Sequence, residues 1–286
     1  MISGVVEKTV DASLRQQKPR GEDFISEGLL YCGRCKTPRQ ARVFLLGAER
    51  TVGVMCNCEK EREKARIEEE KEQEKRIRAD RYRSLFPDRN MAEWTFEKDD
   101  GKSPVSGIAR RFCTNFPEML KDGKGLLFFG PVGTGKTFMA TCIANELIDR
   151  GYSVYVTNFS RIANKVFELQ DKQAFIDGLN EFQLLVVDDL AAERKTEYMM
   201  DVVWNVIDTR IRAKLPMIIT TNLSSDELKN GDLARRRIFS RLYEACLFVE
   251  VSGRDRREQK MKADYRKFQN ILKGDEDGSQ QLPIRD

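Results

Sequence analysis

The 286-residue chain reads as an α/β protein, a parallel sheet flanked by helices, preceded by a small four-cysteine module and a charged helical linker. Three observations predict this. From about residue 105 onward, short apolar runs alternate with helical stretches, the pattern of a parallel sheet covered on both faces. A phosphate-loop pattern sits between one apolar run and the next helical stretch. Upstream, two close cysteine pairs precede a run of almost unbroken charge.

The elements follow in chain order. Residues 1–30 are mixed and weakly patterned, with short helices the expectation. Residues 31–58 hold Cys32-x-x-Cys35 and Cys56-x-Cys58. Two such knuckles can converge on one tetrahedral Zn²⁺, with Zn–S near ~2.3 Å. Between them, 42–46 and 52–55 read as strands around Gly47-Ala48, so a hairpin carries one knuckle at each end. So small a module has little core, and a metal would hold it together. Four thiolates leave no open position for water, which makes the metal structural. The plain alternative is four reduced cysteines in a surface hairpin. Residues 59–83 are nearly all charged and read as a solvated helix laced with i,i+4 pairs, either a linker or a partner-contacting helix. Beyond Phe86-Pro87 the chain becomes globular, with strands at 125–129, 153–157, 184–187, 217–221 and 247–251. Helices are expected at 136–149, 159–170, 196–213 and 232–245. The tail, 274–286, is polar and expected to be disordered. The expected plan is 1–58 (with the cysteine module at 31–58), a linker at 59–90, a nucleotide-binding domain at 91–258, and a C-terminal helix and tail at 259–286.

Composition narrows the function. Apolar residues make up 40% and charged residues 34%, which suits a soluble core with a charged surface. A net charge of +4 is too small to argue nucleic-acid binding by itself. No apolar run approaches a membrane span, and the first twenty residues lack a secretory apolar core, so a cytosolic protein is expected. The seven cysteines then favour metal over disulfides. With no histidine in the chain, a zinc site must be all-cysteine and histidine acid–base chemistry is excluded. Cys113, Cys142 and Cys246 sit among apolar neighbours and read as core.

Gly130-Pro131-Val132-Gly133-Thr134-Gly135-Lys136-Thr137 matches G-x-x-x-x-G-K-[ST], and Phe138 continues the set into the helix. Glycines let the backbone wrap phosphate with successive N–H groups pointing inward, and the helix presents its positive end to the same anion. Lys136 would neutralise the β- and γ-phosphates of ATP, and Thr137 would bind Mg²⁺. Leu184-Leu185-Val186-Val187-Asp188-Asp189 is a strand ending in two carboxylates. Asp188 would hold Mg²⁺ and Asp189 would polarise the attacking water; strand-terminal turn residues are the alternative. Asn222 closes the strand Ile218-Ile219-Thr220-Thr221 and could orient that water or cap a helix. The basic stretch Arg235 to Leu242 could face a neighbouring subunit's nucleotide, contact DNA phosphates, or simply be solvated.

Taken in order, these pieces resemble the AAA+ ATPases, and more closely the bacterial and phage replicative-helicase loaders of the DnaC/DnaI type. The resemblance includes the cysteine module, the charged connector, Trp94-Thr95-Phe96-Glu97, and Gly130 through about Arg257. Asp188-Asp189-Leu190-Ala191-Ala192-Glu193 is similar to the second motif of these loaders. The resemblance implies that Asn222 is sensor 1, Arg241 the arginine finger, Arg237 its helper and Arg257 the sensor 2 arginine. It also implies ATP hydrolysis at inter-subunit sites in a ring or spiral, a grip on a DnaB-type helicase by the cysteine module and linker, and contact with single-stranded DNA. Two other readings share these residues: a transposition-helper ATPase of the IstB type, and an ATP-binding zinc-ribbon adaptor with little hydrolysis.

Overall fold

Two antiparallel hairpins open the described part of the chain, which in this computed structural model comprises residues 19–45, 47–101, 103, 105–190, 197–230 and 232–273. The expected tail at 274–286, residues 1–18, Leu46 and Ala191-Ala192-Glu193 lie outside the described residues. The chain divides into two compact units, one ending at Arg76 and one beginning at Ile77. The division therefore lies inside the charged helix.

In the first unit, β1 (Phe24–Ser26) pairs with β2 (Leu29–Tyr31), and β3 (Gln40–Leu45) with β4 (Ala48–Gly53). Short helices are the expectation over residues 1–30; residues 1–18 lie outside the described residues, and residues 24–31 form this first hairpin instead. Its cause is local: Glu27 and Gly28 both have positive φ, the primed two-residue turn that matches strand twist, and Phe24 stacks on Tyr31 across the strands at 5.6 Å. The second hairpin is the expected one with other bounds: its first strand starts at Gln40, and its second runs Ala48–Gly53 rather than 52–55. It is followed by α1 (Asn57–Ser84), which carries the predicted surface pairs, Arg66 with Glu63 and Glu70.

The second unit is built on five parallel strands in the order β6-β7-β8-β5-β9. They are β5 (Gly125–Phe129), β6 (Val154–Asn158), β7 (Leu184–Leu190), β8 (Met217–Thr221) and β9 (Cys246–Glu250). Helices cover both faces, so the strands read as continuous apolar runs rather than alternating ones. Side chains still alternate between faces. Leu126, Phe128, Leu184 and Val186 join one core cluster with Phe116 and Ile143. Leu127, Leu185 and Val187 join the other with Phe159, Ile207 and Leu242. Cys113, Cys142 and Cys246 are buried, as expected of core residues.

After α2 (Ser106–Thr114) and α3 (Phe116–Asp122), the connecting helices are α4 (Lys136–Asp149), α5 (Phe159–Glu168), α6 (Lys172–Gly178), α7 (Glu197–Arg212), α8 (Ser225–Lys229), α9 (Leu233–Ala245) and α10 (Arg256–Lys273). The helix expected over 159–170 stops at Glu168 because Asp171 caps a separate helix through the Ala174 N–H. The end of α1 joins this unit: Ala79 is buried in its core, and Arg83 bonds Asn145 and Asp149. Part of the expected linker is thus packed rather than solvated. Among the described residues no helix is long and apolar enough to cross a membrane.

Candidate nucleotide site and cysteine cluster

The strand order brings the predicted residues together. β8 lies between β5, which leads into the phosphate loop, and β7, which ends in the two carboxylates. The C-terminal ends of all three strands therefore meet at one edge of the sheet. There a cleft of about 400 Å³ is lined by Val132, Gly133, Gly135, Lys136, Thr137, Phe138, Asp188, Asp189, Asn222 and Arg257. Gly130, Pro131 and Thr134 form the loop behind it, and Thr134 Oγ1 closes the turn by donating to Pro131 O at 2.9 Å.

The loop is held open for an anion. Gly135 precedes α4 with no side-chain cap, so the first-turn N–H groups of α4 have no side-chain acceptor. Lys136 is 6% exposed and donates to the carbonyls of Gly130 (2.8 Å) and Pro131 (2.6 Å). Burial pulls its pKa down, against the opposing pull of Asp189 and Asp188. Gly133 has φ +77, a conformation that favours glycine; a Cβ there would meet the Asp255 carboxylate, a side-chain end that can swing aside.

The carboxylates are organised by a residue not singled out from the sequence. Thr220 Oγ1 donates to Asp188 Oδ1 at 2.5 Å and accepts the Asp189 N–H at 2.9 Å. Thr137 Oγ1 donates to the same Asp188 oxygen at 2.9 Å. The strand pairing slips between Val187 and Leu190, and Asp189 takes φ +62. This bulge turns Asp189 into the cleft, where Asn222 Nδ2 donates to its Oδ1 at 2.8 Å. Burial raises the Asp189 pKa, and the charge of Asp188 adds to the rise, while Lys136 and Arg257 offset it. Asn222 does not cap a helix; Ser224 caps α8 in a reciprocal box with Glu227.

The start of α10 completes the cleft. Arg256 N–H donates to Gly133 O at 2.9 Å, and the Arg256 guanidinium bonds Asp100 at 3.0 Å. Arg257 and Lys260 line the cleft with Trp94 and Lys98. Arg237 and Arg241 do not line it; they lie on α9 against Trp204 of α7.

In the first unit, the Sγ atoms of Cys32, Cys35, Cys56 and Cys58 all lie within 4.8 Å of one another. The two knuckles stand at the two ends of the β3–β4 hairpin, the second running into the first turn of α1. Gly33 is required by close approach, since a Cβ would fall 2.2 Å from Glu22 O. Thr37 links the knuckles: its hydroxyl meets Cys35 Sγ at 3.1 Å and accepts the Asn57 N–H at 3.0 Å. The Thr37 hydroxyl, followed by Cys58 and the Thr37 backbone, pulls the Cys35 thiol down to about 5, whereas burial pushes Cys56 up to about 11. Beneath them Arg39 is buried and bonds Asp23 (2.5 Å) and Glu59 (2.8 Å), joining the first hairpin to α1. Four sulfurs at this spacing fit a tetrahedral thiophilic cation such as zinc.

Residues 48–263, about three quarters of the chain, match the IstB-like ATP binding protein family. The chain belongs to that family. Within this IstB-like frame it is 28% identical over 192 residues to the replicative helicase loader DnaI of Bacillus subtilis, spanning 61% of this chain and 62% of that protein. It is 25% identical over 150 residues to the replicative helicase loader DnaC of Escherichia coli K12, spanning 50% of this chain and 58% of that one. The chain thus spans less than two thirds of these relatives. A crystal structure of DnaI superposes with a TM-score of 0.51 at 26% identity, covering 62% of this chain and 99% of that one.

Proposed function

We propose that this IstB-like protein is an ATPase that loads a DnaB-type replicative helicase onto single-stranded DNA, hydrolysing ATP at sites shared between neighbouring subunits. The observation that carries the reading is the assembled network Thr137–Asp188–Thr220–Asp189–Asn222 beside an uncapped phosphate loop, in a chain similar to DnaI. Lys136 exchanges two loop carbonyls for the β- and γ-phosphate oxygens. Thr137 and Asp188 would hold Mg²⁺, which would supply positive charge to offset that developing on the phosphate oxygens. Asp189, kept more basic than an ordinary aspartate, polarises a water that Asn222 orients. Arg257 meets the phosphates from α10. Arg241, outside its own cleft, acts on a neighbour's γ-phosphate, a contribution of ~10³–10⁵ in rate, with Arg237 beside it.

The four cysteines hold a structural zinc, and the module with α1 is the grip on the helicase. Contact with single-stranded DNA has a candidate surface on the second unit. Phe167 is 75% exposed, its ring 6.3 Å from Tyr198, and Lys172 lies 5.6 Å over the Tyr198 ring. Exposed aromatics beside a cation suit unpaired bases and a phosphate backbone.

The test is light-scattering chromatography of the protein with a DnaB-type helicase from the same genome, in ATP and in ADP. A nucleotide-sensitive complex that Cys32→Ser/Cys35→Ser abolishes is expected. Absence of a complex in both nucleotides, with binding instead to a transposase on duplex DNA, would overturn the loader reading in favour of transposition.

A further inference from the structure

Two pairs of residues, each one helical turn apart, face each other across α7 and α9. Trp204 and Asp208 stand on α7; Arg237 and Arg241 stand on α9. The Trp204 ring centroid lies 4.8 Å from Arg237 Cζ and 5.9 Å from Arg241 Cζ. Asp208 Oδ1 lies 3.1 Å from Arg241 Nη2, and Oδ2 lies 2.7 Å from Arg212 Nε. Glu244 takes Arg241 Nη1 at 3.2 Å.

The burial is unequal. The Asp208 side chain keeps only 12% of its surface exposed, while that of Arg241 keeps 38%. A buried carboxylate needs compensation, and among the described residues its charge partners are Arg212 and Arg241. The contact with Arg241 is an ion pair outside hydrogen-bond geometry, so Asp208 Oδ1 makes no hydrogen bond there. Asp208 therefore holds the guanidinium through charge. An indole face is the best aromatic partner for a cation and uses none of the arginine's in-plane N–H donors, of which Glu244 accepts one from Nη1.

We propose that Trp204 and Asp208 are positioning residues for Arg241, ordering its guanidinium before it meets a neighbouring subunit's phosphate. This rests on reading Arg241 as an arginine acting in trans. A long side chain that is already ordered loses less freedom on reaching its target, and the gain falls on the chemical step rather than on ATP binding. Arg237, stacked on the same ring, keeps the shelf in place.

Hybrid assemblies test this. An Asp189→Asn chain keeps its own arginine but lacks the water-polarising carboxylate; an Arg241→Ala chain has the reverse. Each is expected to be inactive alone, and their mixture to recover turnover. Asp208→Asn is then placed in one chain or the other. In the Asp189→Asn chain, which donates the arginine, it is expected to lower the recovered kcat by ~10–10²-fold, the scale of a misplaced catalytic group, with the KM for ATP unchanged. In the Arg241→Ala chain, whose own finger is gone, it subtracts nothing further. Trp204→Phe in the donor chain should retain more of the rate than Trp204→Leu. Equal losses from either side would show a merely structural role, and an undiminished rate from the donor side would overturn the proposal. A parent mixture with no recovered turnover would instead overturn the trans reading of Arg241, and the positioning role with it.

Discussion

Asp189 bears two local penalties. Its φ of +62 lies in a region that non-glycine residues rarely adopt, and its carboxylate shares the cleft with Asp188. Burial, then the charge of Asp188, raises its pKa. A carboxyl whose folded-state pKa exceeds its unfolded value favours folding when protonated, and that advantage is lost as pH rises through the folded pKa. Asp189→Asn should therefore stabilise the protein above that pKa. Asparagine tolerates positive φ and still offers an oxygen to Asn222. Because the site is partly open to solvent, the gain should be small, roughly 1–2 °C in Tm at neutral pH. It should shrink as pH falls through the folded pKa and Asp189 becomes neutral. Turnover should be lost while ATP binding stays. Thermal melts at pH 4 and pH 8, beside an ATPase assay, check this; equal Tm changes at both pH values would show that charge is not the cause. Asp189 was legible in the sequence as the end of an apolar strand. Thr220 was not, since its role depends on β8 lying beside β7, a pairing that local pattern does not encode.

Among the elements, those with a continuous apolar run or a long charged run were legible: the five strands of the sheet, α1 and the β3–β4 hairpin. The β1–β2 hairpin was not, because strands of three residues show no period, and its signal is the turn Glu27-Gly28. The cysteine spacing gave the cluster, but Arg39, Asp23 and Glu59 beneath it come from three separate segments. The module has little apolar core to fall back on: Phe44 is 78% exposed, and Leu30, Cys32 and Cys56 are its buried apolar side chains among the described residues. Its order should therefore depend on metal. Zinc content is expected at about one ion per chain, since structural zinc sites take four protein ligands each. A strong chelator should release it and open residues 19–58 to protease. Both tryptophans, Trp94 and Trp204, belong to the second unit, so their fluorescence melt should not move. Metal-free protein with an unchanged protease pattern would refute the structural role, and a shifted tryptophan melt would show that the second unit also needs the metal.

For the molecule as a whole, the decisive fact is what the cleft lacks. It gathers the phosphate loop, Thr137, Asp188, Asp189 and Asn222 from one chain, but Arg241 lies on α9 and does not line it. Arg257 and Lys260 line the same cleft from α10, so all the residues proposed to bind nucleotide belong to one chain. Binding and turnover should therefore separate with dilution. ATP affinity, read from a fluorescent analogue, should stay constant as protein concentration falls. Turnover per chain should fall with it under the proposed sharing of sites between neighbours, and in the dilute limit the rate per chain should scale with concentration. Arg241→Ala should flatten that curve at a rate lower by ~10³–10⁵-fold, with nucleotide binding intact. Lys136→Ala should lose binding at every concentration, since the lysine acts within its own loop. Constant turnover per chain over a wide dilution, with cross-linking showing single chains at the low end, would place the complete site in one subunit and leave α9 free for another partner.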